Sequence, residues 1–94
     1  MEIRELRAFI AVAEEGSFSA AARRLHLSQS ALSQTIQALE RQLGTQLLLR
    51  SSTGVTATDP GALLLREGRA LIAQHDQLLR DLTGGDEALP GSCG

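Results

Sequence analysis

Only three residues, His26-Leu27-Ser28, separate two stretches that both carry helical periodicity. In the first, Ser17-Phe18-Ser19-Ala20-Ala21-Ala22-Arg23-Arg24-Leu25, a serine at 17 or 19 can cap the helix and Phe18 can pack inward at its entry. In the second, Leu32, Ile36, Leu39 and Leu43 recur at spacings of four, three and four, which puts them on one side of a 3.6-residue period. Ser28 can cap this helix and Gly44 can end it. So short a connection forces the two helices to cross closely, and the side chains at the crossing must be small, as Ala20, Ala21 and Ala22 are. Leu27 is expected to plug the turn from below. Two helices, a tight turn and small residues at the crossing are what a helix-turn-helix requires.

The other face of the second helix carries Gln29, Ser30, Ser33, Gln34, Gln37 and Arg41. A solvated helix face is ordinarily rich in Glu and Lys paired four apart. Neutral amides and hydroxyls instead both donate and accept hydrogen bonds, and Gln pairs in a bidentate way with an adenine edge in the major groove of DNA. In a helix-turn-helix the first helix crosses the DNA backbone and the second enters the groove by its N-terminal end. Gln29, Ser30, Ser33 and Gln34 lie at that end, where the helix dipole and free N–H groups also favour a phosphate. The competing reading is a plain amphipathic helix with a chance run of Gln and Ser.

The charge distribution favours the first reading. The 94 residues carry a net charge of −2, which does not describe a generally basic nucleic-acid binder. Between residues 16 and 58, however, Arg23, Arg24, Arg41 and Arg50 face Glu40 alone, a local balance of +3. The other acids sit towards the two ends. With no Trp, no Tyr and two Phe, the core must be built from Leu, Ile, Val and Ala.

Around this centre, residues 3–15 form a first helix whose stripe is Ile3, Leu6, Phe9, Ile10 and Ala13, ended by Gly16. Segments 46–50 and 54–58 flank the turn Ser51-Ser52-Thr53 and read as a two-stranded wing, with Leu47 and Leu49 closing the core and the tip free for phosphates or the minor groove. Thr58 or Asp59 caps a long helix, with Pro60 at its first position, running to about Leu82 and stopped by Gly84-Gly85. Along it Leu64, Gly68, Leu71, His75, Leu78 and Leu82 alternate steps of four and three, and Leu65, Ile72 and Leu79 form a neighbouring row. So wide a stripe points to a second copy of the same helix, packed as in a coiled coil. The fold expected is mainly α: a winged helix-turn-helix over 1–58 (helix-turn-helix about 18–37), a dimerisation helix over 59–83, and a polar flexible tail over 84–94.

Other chemistries find little support. The single Cys93 excludes an internal disulfide and a cysteine metal site, and His26 and His75 are too far apart for a helical metal pair. There is no paired-carboxylate site, no nucleophile with a base at useful spacing, and no glycine-rich phosphate loop. No enzyme, metal or cofactor is expected. Neither a signal peptide nor a membrane span is recognisable, so a cytoplasmic chain is expected.

The ordered motifs carry a resemblance. Ala8-Phe9 with Val12-Ala13, Gly16-Ser17-Phe18-Ser19, Ala21-Ala22 with Leu25, and Leu27-Ser28-Gln29-Ser30-Ala31-Leu32-Ser33 are similar to the N-terminal domain of LysR-type transcriptional regulators. So are Ile36, Leu39-Glu40, Leu43-Gly44, Leu47-Leu48-Leu49-Arg50, and Thr58 with Gly61. The resemblance covers residues 1 to about 82. It implies a bacterial, promoter-binding regulator whose linker helices pair antiparallel, on an interrupted palindrome that starts with T and ends with A. It further implies assembly into dimers and commonly tetramers, and a C-terminal inducer domain for which this chain is too short.

By position, the resemblance places Gln29 and Ser33 where the family touches bases. Three residues depart from the family pattern: Ser30 stands where proline is usual, Gln34 where arginine is frequent, and Thr53 where a wing-tip arginine is common. The exchange at 34 replaces a guanine-preferring cation with an amide suited to adenine. The exchange at 53 leaves more of the anchoring to Arg50, and a shallower salt dependence is expected than is typical of the family.

The expected DNA contacts are therefore Gln29, Ser30, Ser33, Gln34 and Gln37 on the recognition helix, with Ser17, Ser28, Arg50, Ser52 and Thr53 around it. The expected self-contacts are Leu64, Leu65, Gly68, Leu71, Ile72, His75, Leu78 and Leu79. The alternative function is a small helical interaction module, an adaptor or antitoxin, using the long helix.

Overall fold

Each helix of the computed structural model, which describes residues 1–84, opens at a polar side chain and closes at a left-handed residue. Helix α1 (Ile3–Glu15) opens with the Glu5 carboxylate accepting the Glu2 N–H at 2.8 Å. In α2 (Phe18–Leu25) Ser17 Oγ accepts the Ala20 N–H at 3.1 Å, and in α3 (Gln29–Leu43) Ser28 Oγ accepts the Ala31 N–H at 3.0 Å. Helix α4 (Asp59–Thr83) opens with Thr58 Oγ1 accepting the Gly61 N–H at 3.1 Å. These caps satisfy amides that the helices leave without partners. Gly16, Gly44 and Gly84 end α1, α3 and α4. His26 ends α2 in the same left-handed region, at φ 59°.

The expected elements form. Strands β1 (Leu48–Ser51) and β2 (Gly54–Ala57) pair antiparallel, with Leu48 opposite Ala57 and Arg50 opposite Val55. Helix α1 is the central post, with Leu6, Phe9, Ala11 and Val12 fully buried. Ala21 and Ala22 of α2, Leu32, Ile36 and Leu39 of α3, and Leu47 and Leu48 at the wing root complete one apolar cluster. Ala21 and Ala22 are buried at 0% and 4% exposure, which is what a close helix crossing needs.

Three expectations need correction. Leu27 is 45% exposed and does not plug the turn. The left-handed His26 lets the Leu27 N–H bond back to the Ala22 carbonyl at 2.9 Å, while Leu32 is the buried leucine of the next helix. Leu27 instead lines an open groove of about 870 Å³ together with Ile3, Leu25, Ala31 and Gln34. At the wing root, Leu48 rather than Leu49 is inside: Leu47 and Leu48 are buried while Leu49 is 48% exposed. The strand begins one residue after Leu47, so strict alternation does not hold there. Leu43, on the last turn of α3, is 42% exposed and lies outside the core.

The wing is fixed by backbone acceptors. Val55 N–H donates to the Gly16 carbonyl at 3.1 Å, and Thr58 N–H to the Leu47 carbonyl at 3.0 Å. The start of α4 presses on the same peptide: a Cβ at Gly61 would lie 2.0 Å from the Leu47 carbonyl oxygen.

Helix α4, 25 residues and roughly 37 Å long, presents two different sides. Leu64, Leu65 and Ile72 are half-buried against the core, and Gly68 is buried with its Cα facing Leu6 and Ile10 of α1. Arg7–Asp76 and Arg69–Glu14 ion pairs tie α4 to α1. Leu63, Leu71, Leu78, Leu79 and Leu82 stay exposed. The stripe that looks continuous in sequence is therefore divided, and Gly68 in particular is spent on its own chain because its missing side chain lets α1 approach. The tail expected over 84–94, with Cys93, lies outside the described residues from 85 onward.

Candidate nucleic-acid interface

The neutral polar residues of α3 share an open face. Gln29, Ser30, Gln34 and Gln37 are exposed and Ser33 is half-buried, while Leu32, Ile36 and Leu39 on the opposite side are buried at 2% or less. The hydrophobic side is held by the core, so the amide side is presented rigidly. Gln29, Ser30, Gln34 and Gln37 make no side-chain hydrogen bond among the described residues, which leaves their donors and acceptors available. The far end of the helix is anchored by Glu40. Its Oε2 accepts the N–H groups of Leu47 at 2.8 Å and Leu48 at 3.2 Å. Glu40, the lone acid of the basic stretch, is thus a structural brace between recognition helix and wing, a role that the sequence did not single out.

Two serines expected among the DNA contacts, Ser17 and Ser28, are the caps of α2 and α3. Capping uses the hydroxyl as an acceptor only, so each O–H proton remains free to be donated outward. Of the arginines, Arg24 is turned away: it pairs with Glu14 at 2.9 Å and Glu15 at 3.2 Å. Its guanidinium pKa is raised by the bond to Glu14. Glu14 in turn bonds Arg69 and Arg24, which hold its carboxyl below the ordinary range. That network staples α1, α2 and α4 and contributes no free cation to the α3 face. Arg23 reaches Ser19 at 3.2 Å, and Arg41 is exposed beyond the expected contact face.

Arg50 is the cation that belongs to that face. Its Nη2 donates to Ser33 Oγ at 2.7 Å, and its Cζ lies 3.8 Å from the centre of the Phe18 ring. One side chain from the wing therefore touches both helices of the helix-turn-helix. At the wing tip Ser52 is exposed, and Thr53 is held by Ser51, its Oγ1 lying 2.9 Å from Ser51 Oγ. Ser28 thus caps the helix that bears the amide face and Ser33 meets Arg50 on it, while Ser17 opens α2 and Ser52 and Thr53 form the tip of the hairpin that carries Arg50.

The site can bind by hydrogen bonding and charge. Among the described residues no group of His, Cys, Asp and Glu could hold a metal, and no helix is long and apolar enough to cross a membrane.

Residues 3–62 match the family described as "Bacterial regulatory helix-turn-helix protein, lysR family". The chain is 49% identical over 73 residues to the HTH-type transcriptional regulator TfdT of Cupriavidus pinatubonensis, covering 78% of this chain and 32% of that protein. It is 40% identical over 91 residues to the nitrogen assimilation regulatory protein nac of Escherichia coli, covering 97% of this chain and 30% of that one. Among solved structures it resembles a CbnR_DBD-DNA complex with TM-score 0.84 at 40% identity, covering 90% of this chain and 98% of that one. It also resembles the BenM_DBD/benA site 1 DNA complex with TM-score 0.85 at 41% identity, covering 92% and 100%. The chain spans about a third of the length of these curated relatives.

Proposed function

Because the chain belongs to the lysR family of bacterial regulatory helix-turn-helix proteins, we propose that it binds duplex DNA sequence-specifically, placing α3 in the major groove as a homodimer on a pseudo-palindromic site. The observation that carries this reading is the exposed amide face of α3, with Gln29, Gln34 and Gln37 unpaired on it and Arg50 beside it. Gln29, Ser30, Ser33, Gln34 and Gln37 would contact base edges. Ser17, Ser28, Arg50, Ser52 and Thr53 would hold phosphates, which position without reading sequence. The resemblance to structures described as DNA complexes supports the same use of the face.

Self-association is part of the proposal. Leu71, Leu78 and Leu79 are exposed on α4, and Leu82 beyond them is 71% exposed. A row of leucines in water is a liability that a second α4 would remove. Leu64, Leu65, Ile72 and His75, already half-covered, would border that seam. Tetramers and an inducer response would belong to a longer regulator, and a cytoplasmic, nucleoid-associated location follows from promoter binding. The relatives are transcriptional regulators, a family of non-enzymes.

A gel-shift titration on pooled random duplexes tests the proposal. Retention at low salt that weakens as salt rises is expected. No retention at low salt would favour instead an adaptor that uses α4 to bind a protein.

A further inference from the structure

The 2.7 Å bond from Arg50 to Ser33 biases which way the Ser33 hydroxyl acts. A serine oxygen accepts through its lone pairs and donates one proton. Arg50, having only donors, takes one of the two lone pairs, and its charge polarises the O–H bond and strengthens it as a donor. Among the described residues the Ser33 proton has no acceptor, in contrast with Thr35, whose hydroxyl donates to the Ala31 carbonyl at 3.0 Å. Arg50 is itself packed on its flat face against the Phe18 ring at 3.8 Å. It uses one N–H on Ser33 and keeps others for a phosphate.

Resting on the DNA-binding reading above, we infer that Arg50 biases Ser33 towards donating, so that Ser33 favours a base edge presenting an acceptor in the major groove. The acceptable edges are guanine N7 or O6, adenine N7 and thymine O4. The amino group of cytosine, which is only a donor, is disfavoured. Arg50 acts on this choice as a positioning residue, through Ser33. Lysine could not replace it: an ammonium neutralises a phosphate as a point charge but lacks the planar fork that spans ring, serine and phosphate together.

The test begins with duplexes selected from a random pool by the intact 94-residue chain. Ser33→Ala locates the position that Ser33 reads, as the one where selection relaxes. At that position 7-deazapurine, or a thymine analogue without O4, should weaken the unaltered chain roughly five-fold or more and leave Ser33→Ala unaffected. Arg50→Lys, compared with the unaltered chain at protein concentrations that give equal retention, should relax preference at the Ser33 position. The inference is overturned if that position prefers cytosine on the contacted strand, if the analogues bind as well as the natural bases, or if Arg50→Lys leaves base preference intact. Those outcomes leave DNA binding itself standing. Absence of any retention by the unaltered chain overturns both.

Discussion

Glu40 Oε2 accepts the Leu47 N–H at 2.8 Å, joining the last turns of the recognition helix to the root of the wing. The same oxygen takes the Leu48 N–H at 3.2 Å. Both leucines are buried, so without this carboxylate their amides would be left without partners in an apolar setting. Glu40→Ala is predicted to lower stability by about 2–3 kcal/mol, from two lost charge-assisted bonds. Glu40→Gln keeps an acceptor and should cost about half as much. Chemical denaturation of the three proteins checks this, and equal midpoints would contradict it.

Gln34 is exposed on α3 with no side-chain partner among the described residues. Gln34→Ala should relax preference at one base pair by roughly 1–3 kcal/mol if its contact is bidentate. Selection from a random pool reads this directly. An unchanged base preference would remove Gln34 from the reading set.

The exposed leucines of α4 give a test that leaves α3 untouched. Leu78, 55% exposed, replaced by Glu should shift the chain from dimer to monomer in sedimentation. Affinity for a two-half-site duplex should fall about tenfold or more, through lost bivalency, while affinity for an isolated half-site stays. A monomeric unaltered chain would defeat this prediction.

Two glycines of α4 should respond unequally to alanine. At Gly61 the new Cβ would meet a backbone oxygen, Leu47 O, at 2.0 Å, and neither side can yield. Gly61→Ala is predicted to cost about 3 kcal/mol or more. At Gly68 the nearest atom is Leu6 Cδ1 at 2.8 Å, the end of a flexible side chain. That variant should lose only about 1 kcal/mol. Thermal unfolding distinguishes them, and a reversed order would contradict the packing described.

Acid should loosen the α1–α2–α4 staple. Arg69 first, then Arg24, hold the Glu14 carboxyl below its ordinary range. A depressed folded-state pKa gives stability that is present above the unfolded value, about 4.3, and is lost as pH falls through the folded value. Its size is below about 1 kcal/mol, since the partners are half-exposed. Glu14→Gln should flatten the stability profile from about pH 5 downward and leave it unchanged near neutrality in shape. An identical acid limb in both proteins would exclude this network as a contributor.

The parts of the fold legible in the sequence are those set by local chemistry. Helix α1 falls at Ile3–Glu15 and α3 at Gln29–Leu43, because polar caps, glycine stops and apolar spacing act within one or two turns. What stayed hidden depends on residues far apart. Leu48 rather than Leu49 turned inward, and its N–H is taken by Glu40, eight residues away. The single stripe on α4 divided because α1 covers only the side bearing Gly68. The amide face of α3 was readable from its periodicity. The link between Arg50, Ser33 and Phe18 spans three elements and has no trace in spacing.

The central claim is that the Gln29–Gln37 face of α3 is what meets DNA. Backbone and side-chain amide shifts of the labelled chain, followed by NMR during titration with a selected duplex, test it most directly. The account predicts the largest changes at Gln29, Ser30, Ser33, Gln34 and Gln37, with a second set at Ser17, Ser28 and Arg50. Changes concentrated on α4 or α1, with the α3 amides silent, would contradict it.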